Sequence, residues 1–500
     1  FAVLRPSNDL AKIAFSEVYD VLTRGRQEPH KKDDSASRFM EVGPEPEYHK
    51  DVHHFRLRMN KQRERQSRRP DQASVTEVED ETDIEVDDET EKYSRHLGMI
   101  WTGCYIFRLD HQPNLPYTGW IMGKGPTEVD PRTHHADLYL CTMEFAKKHV
   151  PNLRPRHGRF NFDTTNRAFF MASMVRSALP MLTVNGDSLT GRMYSLNQYH
   201  MTVWADTLQY KFEYTQYSST KEFMQQRVAY MNKQYVNDFL PKPSPTVFEM
   251  PTPQRNTRTI GQWSMGKPLG KGAMGRVYLA SNTKNEVVAV KMIEITAATA
   301  PFVEAEVANF QHLTELGKKY FDGGRIVRLK EKTNVFRGQS FNEIGLIMEP
   351  MTPNTVSDLV GGVYNGSNGM SIKAARIFRD ALEGVKFLHD HGWIHCDLKP
   401  ANIGVIGDRA VLLDVGQARY LQPGSMIKAS PGSDGTPGYL SPEREQAAYD
   451  HSADVWAMGI VGYELTYGFH PFLFRESPWR PGRQYGSLRT AFHSKYRTAI

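Results

Sequence analysis

Cysteine is scarce in this chain. Cys104, Cys141 and Cys396 are the only three in 500 residues, they lie far apart, and no C-x-x-C pair occurs. That argues against a disulfide framework and against a zinc site, and it fits a reducing compartment such as cytosol or nucleus. Long apolar runs are also missing: the longest, Ala168 to Leu182, is interrupted by Arg176 and falls short of the roughly 20 residues a membrane span needs. Nor is there an excess of one charge, since the formal net charge is +5. Neither a membrane nor a nucleic acid is therefore expected as a direct partner. No internal repeat is evident, and the chain opens on Phe1 instead of methionine, which reads as a fragment. What remains is too long for one hydrophobic core, so two to four units joined by linkers are expected.

Aromatic residues are sparse between Arg24 and Thr90, where a basic run, Lys61 to Arg69, precedes an acidic one, Glu77 to Glu91. Such blocks bury too little apolar surface to offset chain entropy, and residues 1–94 are read as a mostly disordered charged region. The basic run is either a nuclear-import or nucleic-acid patch or a solvated tail. From Tyr93 the texture changes to short β-branched and aromatic runs separated by Gly, Pro, Asn and Asp: Cys104–Phe107, Trp120–Met122, Leu138–Leu140, Arg159–Phe162, Ala168–Met174, Met181–Val184 and Leu208–Tyr214. Many short strands with turns between them predict a β-sandwich over 95–217. Residues 218–262 read as a linker, helical around Glu222 to Asn232 and Pro-rich from Pro241 to Pro253.

Past Trp263 the pattern becomes strand, glycine loop, strand, helix. Gly270-Lys271-Gly272-Ala273-Met274-Gly275 could let backbone amides approach phosphate oxygens, and an unliganded hairpin turn would look the same. Val288-Ala289-Val290-Lys291 puts an ammonium at the end of an apolar strand, where it needs a partner. Glu306, opening a helical pattern that continues with Phe310 and Leu313, is a suitable one; an ordinary surface salt bridge is the alternative. From Ser371, an N-cap candidate, Ile372, Ala375, Phe378, Leu382, Val385 and Leu388 form one stripe of an amphipathic helix. Then come His395-Cys396-Asp397-Leu398-Lys399-Pro400-Ala401-Asn402 and, after a Gly407-Asp408 turn, Val411-Leu412-Leu413-Asp414-Val415-Gly416. Two short strands joined by that turn bring Asn402 and Asp414 together as hard oxygen ligands for Mg²⁺. Asp397 can accept the proton of an incoming hydroxyl, and Lys399 can neutralise charge on a transferring phosphoryl group.

This ordered set resembles the eukaryotic protein kinase family over residues 263–500. The resemblance implies an α+β bilobal kinase fold that binds ATP and Mg²⁺ and phosphorylates protein substrates. Its catalytic residues are then Asp397, Lys399, Lys291 and Glu306. ATP contacts fall on Gly270, Lys271, Gly272, Ala273, Met274, Gly275, Val277, Ala289, Lys291, and the hinge residues Glu349 and Met351 behind the gatekeeper Met348; metal ligation falls on Asn402 and Asp414. The Asp-Leu-Lys-Pro run resembles the serine/threonine branch. Gly435 to Tyr439 with Ser441-Pro442-Glu443 resembles the end of an activation segment, and Asp454-Val455-Trp456 the helix that anchors the catalytic loop. Three positions depart from the family: Cys396 stands where arginine is usual, Val415 where phenylalanine is, and Ser441 where alanine is. The first removes the usual partner of an activation-loop phosphate. The C-terminal lobe reads as truncated, because helices after His470-Pro471-Phe472 should continue past Ile500.

The sandwich at 95–217 resembles a forkhead-associated (FHA) domain, which reads phosphothreonine through its loops. Gly119 to Gly125, Arg156-His157-Gly158-Arg159 and Val184-Asn185-Gly186 carry the likeness. Lys124, Arg154, Arg156 and Asn185 are the implied phosphopeptide-binding residues, with Lys124 in place of an arginine and Arg154 in place of a serine. FHA domain followed by kinase resembles DNA-damage checkpoint kinases of fungi and animals, which implies nuclear or cytoplasmic signalling through phosphothreonine-containing partners. The alternative is a pseudokinase or FHA-type scaffold that acts by protein binding.

Overall fold

The computed structural model describes residues 1–24, 37–67, 94–125, 136–176, 182–235, 249–271, 275–320, 325–337, 340–360, 370–429, 435–436, 438–445 and 448–471. These fall into two compact units, the first built mainly from the chain up to Arg258, the second mainly from Thr259 onward.

The first unit has two sheets that share one core. Along Leu208–Tyr214, residues Leu208, Tyr210, Phe212 and Tyr214 are buried while Lys211 is exposed, the alternation expected of a strand with one covered face. Its sheet runs Asp187–Ser188, Leu182–Val184, His200–Ala205, Leu208–Tyr214, Ala2–Pro6, Gly103–Phe107, Met40–Val42, antiparallel throughout. The second sheet runs Met193–Ser195, Phe169–Ser173, Gly158–Phe162, Trp120–Lys124, Leu138–Cys141, with the last pair parallel. Phe107, Phe160, Phe169 and Phe212 from both sheets meet with ring centroids 4.7 to 6.3 Å apart, within the range at which aromatic pairs add to area burial.

The reading of residues 1–94 as mostly disordered is corrected here. Ala2–Pro6 is an interior strand of the first sheet, registered with Leu4 opposite both Phe212 and Tyr105. Asp9–Arg24 and Lys50–Ser67 are helices, and Phe15 of the former packs edge-on against Tyr105 at 5.1 Å. The Trp101 indole donates to Asp20 at 2.8 Å, and Arg56 donates to the Leu97 carbonyl at 2.9 Å. The basic run therefore begins as the end of a helix; the acidic run lies outside the described residues. The linker boundary moves too. Helix Lys221–Tyr235 puts Phe223, Tyr230 and Met231 into the core, Tyr230 stacking on Trp120 at 5.5 Å. Arg227, 2 % exposed, donates to the carbonyls of Arg167 and Met250 and to the Glu249 carboxylate at 3.0 Å. Residues 241–248 of the Pro-rich stretch lie outside the described residues.

The second unit opens with a six-stranded antiparallel sheet in the order Thr259–Ile260, Trp263–Lys271, Gly275–Ser281, Val287–Glu294, Ser340–Glu349, Arg328–Arg337. Helix Ala300–Gly317 buries Val303, Glu306, Val307, Phe310 and Leu313, so Glu306 lies in its second turn and not at its start. A helical part follows, with Ile372–Asp390, Ser452–Tyr467 and a small sheet of Asn354–Thr355, Ile403–Ile406 and Arg409–Leu412. Ser371 caps the first of these helices by accepting from Ala374 N at 3.1 Å. Its buried stripe is Ala374, Ile377, Ala381, Gly384, Val385 and Leu388, one step round from the predicted one: Ile372 is 79 % exposed and Leu382 40 %. The first turn of the helix projects beyond its partners, so an apolar residue there is not evidence of the buried face. The expected truncation of the lobe beyond Pro471 concerns positions outside the described residues. Among the described residues no helix is long and apolar enough to cross a membrane.

Candidate active site

Lys291 is placed by register. Val277 lies across from it on one neighbouring strand and Leu346 on the other, while Ala289 pairs with Met348. Its ammonium donates to Glu306 Oε1 at 2.6 Å and to Asp414 Oδ1 at 2.8 Å. Burial works against the charged amine, but Asp414 and Glu306 together outweigh it and raise its pKa. Burial likewise tends to raise the Asp414 carboxyl, and Lys291 reverses that and lowers it. Both groups are charged at neutral pH. An ammonium has three protons, so one remains for a third acceptor, as a phosphate oxygen would be.

Gly416 lets this pair form. A Cβ there would lie 2.7 Å from Cγ and Cδ of Glu306, inside any tolerable contact. Gly275 is likewise demanded by the backbone: a Cβ would meet the Met292 carbonyl oxygen at 2.0 Å. Gly270 and Lys271 end the first strand of that hairpin and Gly275 begins the next, with Gly270 opposite Val277; Gly272, Ala273 and Met274 lie outside the described residues. Glu349 closes the strand Ser340–Glu349 and pairs with Lys330 at 3.0 Å, and Met351 just beyond it is buried.

The loop after Trp393–Ile394 holds the other charged groups. His395 is fully buried; its Nδ1 accepts from Asp397 N at 3.3 Å, which leaves Nε2 to donate to the Leu413 carbonyl at 2.9 Å. Cys396 has φ +68°, a strained conformation for a side chain with a Cβ. Asp454 holds it: its carboxylate accepts from His395 N at 2.8 Å, Cys396 N at 3.1 Å and His389 Nε2 at 3.0 Å. Asp397 receives Lys399 Nζ at 2.9 Å and Asn402 Nδ2 at 2.9 Å on one oxygen, and the Thr436 hydroxyl at 2.6 Å on the other. Lys399 also donates to Thr436 Oγ1 at 2.6 Å.

Asn402 spends its Nδ2 on Asp397, donating to its carbonyl at 2.7 Å as well. Its amide oxygen is left as an acceptor for something else, and Leu413 N donates to the Asn402 carbonyl at 2.8 Å, placing that residue beside Asp414. One amide oxygen and one carboxylate, the latter 40 % exposed, fit a hard divalent cation that takes its remaining ligands from phosphates and water. The arrangement can position a phosphate chain, carry a metal and accept a proton, all within one cluster.

Two residues in this cluster were not among the site residues read from the sequence, although Thr436 lies inside the Gly435 to Tyr439 run singled out there. Thr436 reaches Asp397 from 39 positions away, and Arg444 donates to the carbonyl of Cys396 from 48 away. Local spacing cannot reveal either.

The second set of predicted residues is only partly assembled. Lys124 N donates to the Arg154 carbonyl at 3.1 Å, and Arg154 N to Nδ1 of the buried His157 at 3.3 Å, so Lys124 and Arg154 are neighbours. Arg156 is exposed on the same loop. Asn185 sits on a hairpin of the other sheet with φ +51°, and its side chain accepts from Thr202 N at 2.8 Å and donates to Gln198 at 3.2 Å. Its amide is thus committed to the neighbouring strand His200–Ala205 and the residues just before it.

Comparison with known proteins agrees with the geometry of the second unit. Residues 263–484 match the family model described as protein kinase domain. The chain is 29 % identical over 222 residues to the dual specificity protein kinase Ttk of Danio rerio, covering 42 % of this chain and 21 % of that protein. It is 30 % identical over 230 residues to calcium/calmodulin-dependent protein kinase type 1 of Caenorhabditis briggsae, covering 44 % and 59 %. It is 28 % identical over 220 residues to mitogen-activated protein kinase kinase kinase 17 of Arabidopsis thaliana, covering 43 % and 55 %. The chain thus spans between about a fifth and three fifths of the length of these relatives. Residues 263–484 of this chain are a protein kinase domain of the serine/threonine type.

Proposed function

We propose that the whole chain is an ATP- and Mg²⁺-dependent protein serine/threonine kinase that works in phospho-dependent, checkpoint-like signalling in the nucleus or cytoplasm. The observation that carries the reading is the continuous network from Glu306 through Lys291 and Asp414 to the loop of Asp397 and Asn402. In this reading the strands flanking Gly270 to Gly275 cover the nucleotide, with Val277 and Ala289 against the base and Glu349 to Met351 offering backbone groups to its edge. Lys291 holds phosphate oxygens. Asn402 and Asp414 hold Mg²⁺, which would neutralise charge between the phosphates. Asp397 orients the substrate hydroxyl and accepts its proton, and Lys399 faces the developing charge on the transferred group. Incubation of the protein with labelled ATP, Mg²⁺ and a generic basic protein should yield phosphoserine and phosphothreonine; label confined to tyrosine would refute the assignment.

For the first unit, FHA-type docking on phosphothreonine-containing partners is supported by the adjacency of Lys124 and Arg154 and the exposure of Arg156. Asn185 has less to offer, since its amide is occupied. The test needs the full chain, because residues 95–217 alone would lack the interior strand Ala2–Pro6. Titration with a phosphothreonine peptide and its unphosphorylated twin should show preference for the former, and equal affinity would remove the docking role.

A further inference from the structure

Phosphoryl transfer needs the Glu306 carboxylate on Lys291, and the helix Ala300–Gly317 carries it there. That helix is held unevenly along its length. Its last turns are pinned: Leu313 is fully buried, and Thr314 Oγ1 accepts from Leu329 N at 2.8 Å on the neighbouring strand Arg328–Arg337. Its first turns are largely bare, with Pro301, Glu304 and Ala305 exposed and Phe302 66 % exposed. Glu306 stands between the two. A helix gripped at one end can swing at the other, and a swing of about 1 Å at Glu306 would break its bond to Lys291.

Asn309, three residues on and so a neighbour of Glu306 on the helix surface, supplies a second grip. Its Nδ2 donates to the Ala418 carbonyl at 2.8 Å, across 109 positions of sequence. Ala418 closes the turn Val415–Gln417 and is 1 % exposed, so its carbonyl has no water to accept from in place of Asn309. The same turn touches Glu306 at Gly416 and follows directly on Asp414, which accepts from Lys291. Helix and turn are thus joined at two points. His312, three residues further, sets its ring 5.3 Å from that of Trp393. Trp393–Ile394 pairs with Arg419–Tyr420, the residues just after Ala418, and leads straight into His395, Cys396 and Asp397. One amide therefore ties the helix to the turn behind Asp414 and to the strand pair in front of Asp397. Helix propensity does not call for it, since leucine or alanine would suit a helix interior better than asparagine.

We propose that Asn309 is a positioning residue for phosphoryl transfer: its amide latches the helix Ala300–Gly317 to the Ala418 carbonyl and so keeps Glu306 on Lys291. The inference rests on the kinase reading above and deepens it. Without the latch the bare end of the helix swings, Glu306 leaves, and Lys291 is held by Asp414 alone. The ammonium then still meets a phosphate but no longer in one fixed direction. The loss falls on the rate of transfer and spares the binding of ATP.

The test uses the full chain as wild type, Asn309→Leu and Asn309→Asp, each also in a Glu306→Gln background. Transfer of label from ATP gives kcat and KM, and hydrogen exchange reports on the helix. Asn309→Leu keeps the size and removes the donor; its kcat should fall about tenfold while KM for ATP stays within about twofold. Asn309→Asp keeps the shape but turns a carboxylate to the carbonyl, and should be slower still. In the Glu306→Gln background either change should cost almost nothing, because both act on one interaction. Amides of residues 300–309 should exchange faster in Asn309→Leu, and those of 310–317 should not change. Both variants within twofold of the wild-type kcat, or losses that persist in full beside Glu306→Gln, would overturn the latch and leave the kinase reading intact. A lowered melting temperature with unchanged kcat per folded molecule would also overturn it, by making Asn309 structural only. A wild type that transfers nothing, while Asn309→Leu still speeds exchange in the first turns alone, overturns the kinase reading and leaves the latch.

Discussion

Gly416→Ala tests how closely the Lys291–Glu306 pair depends on its surroundings. The added methyl would lie 2.7 Å from Cγ and Cδ of Glu306 and 2.9 Å from Oε1, where ordinary contact begins at 3.4 Å. Relieving the overlap moves the carboxylate by about 0.7 Å, and the 2.6 Å bond from Lys291 then stands at the limit of hydrogen bonding. A buried, charge-assisted hydrogen bond is worth about 1.5–3 kcal/mol. If the pair's whole contribution is to hold Lys291 for transfer, the rate falls roughly 10- to 150-fold. Lys291 keeps Asp414, so nucleotide affinity should fall much less. The assay is the initial rate of phosphate transfer from labelled ATP, with ATP affinity measured separately, in wild type, Gly416→Ala, Glu306→Gln and the double variant. In the Glu306→Gln background the alanine should cost almost nothing, because the two changes act on one interaction. A Gly416→Ala protein within twofold of wild type, or losses that simply add in the double variant, would refute the reasoning.

Burial pushes the Glu464 carboxyl up to about 7 from an ordinary 4.5, with the Tyr439 hydroxyl pulling the other way. The folded state therefore binds this proton more tightly than the unfolded chain, and stability declines as pH rises from about 4.5 to about 7. Glu464→Gln keeps an acceptor for Tyr439 and should stabilise by about 1 kcal/mol more at pH 8 than at pH 5, after allowing for solvent screening; a pH-independent change in melting temperature would contradict this. All three cysteines are buried, and burial raises the Cys141 and Cys396 thiols to about 12. Iodoacetamide at pH 8 should add nothing to the native protein and label all three after denaturation, and native labelling of Cys396 would count against the site's geometry. Arg227→Met removes the charge held by Glu249 and two carbonyls, and should destabilise the first unit by about 2–3 kcal/mol in urea; a change under about 0.5 kcal/mol would mean that this clasp is not structural.

Where chemistry sits in short runs, the sequence was readable. His395 to Asn402 is a short loop ending in the tight turn Pro400–Asn402, and Leu412 to Gly416 leaves the end of a strand for the turn Val415–Gln417, so local spacing already goes far to fix which groups meet. Lys291 and its partner followed from an apolar strand ending in a charge that needed one. The missed features depend on distant contacts. Ala2–Pro6 is too short to show a period, and its place in the sheet comes from Phe212 and Tyr105, more than a hundred positions on. The helix Ile372–Asp390 shows the opposite difficulty: its period was plain, but which side is buried was decided by neighbours such as Leu412, against which Gly384 packs. Arg444 had no place in the sequence reading, and only its burial against Cys396 marks it. The amide of Asn185 illustrates a third limit, because a loop residue that could bind a ligand can equally tie its turn to the neighbouring strand, as it does through Thr202.

The central claim is that this cluster transfers a phosphoryl group with Asp397 as the proton-accepting residue. The most direct measurement compares wild type and Asp397→Asn for ATP binding by calorimetry and for transfer of label from ATP with Mg²⁺. The account predicts similar ATP affinity in both and transfer at least about a thousandfold slower in the variant. Equal transfer rates would contradict the assignment of Asp397, and a wild type that binds ATP but transfers nothing to any protein would contradict the kinase activity itself.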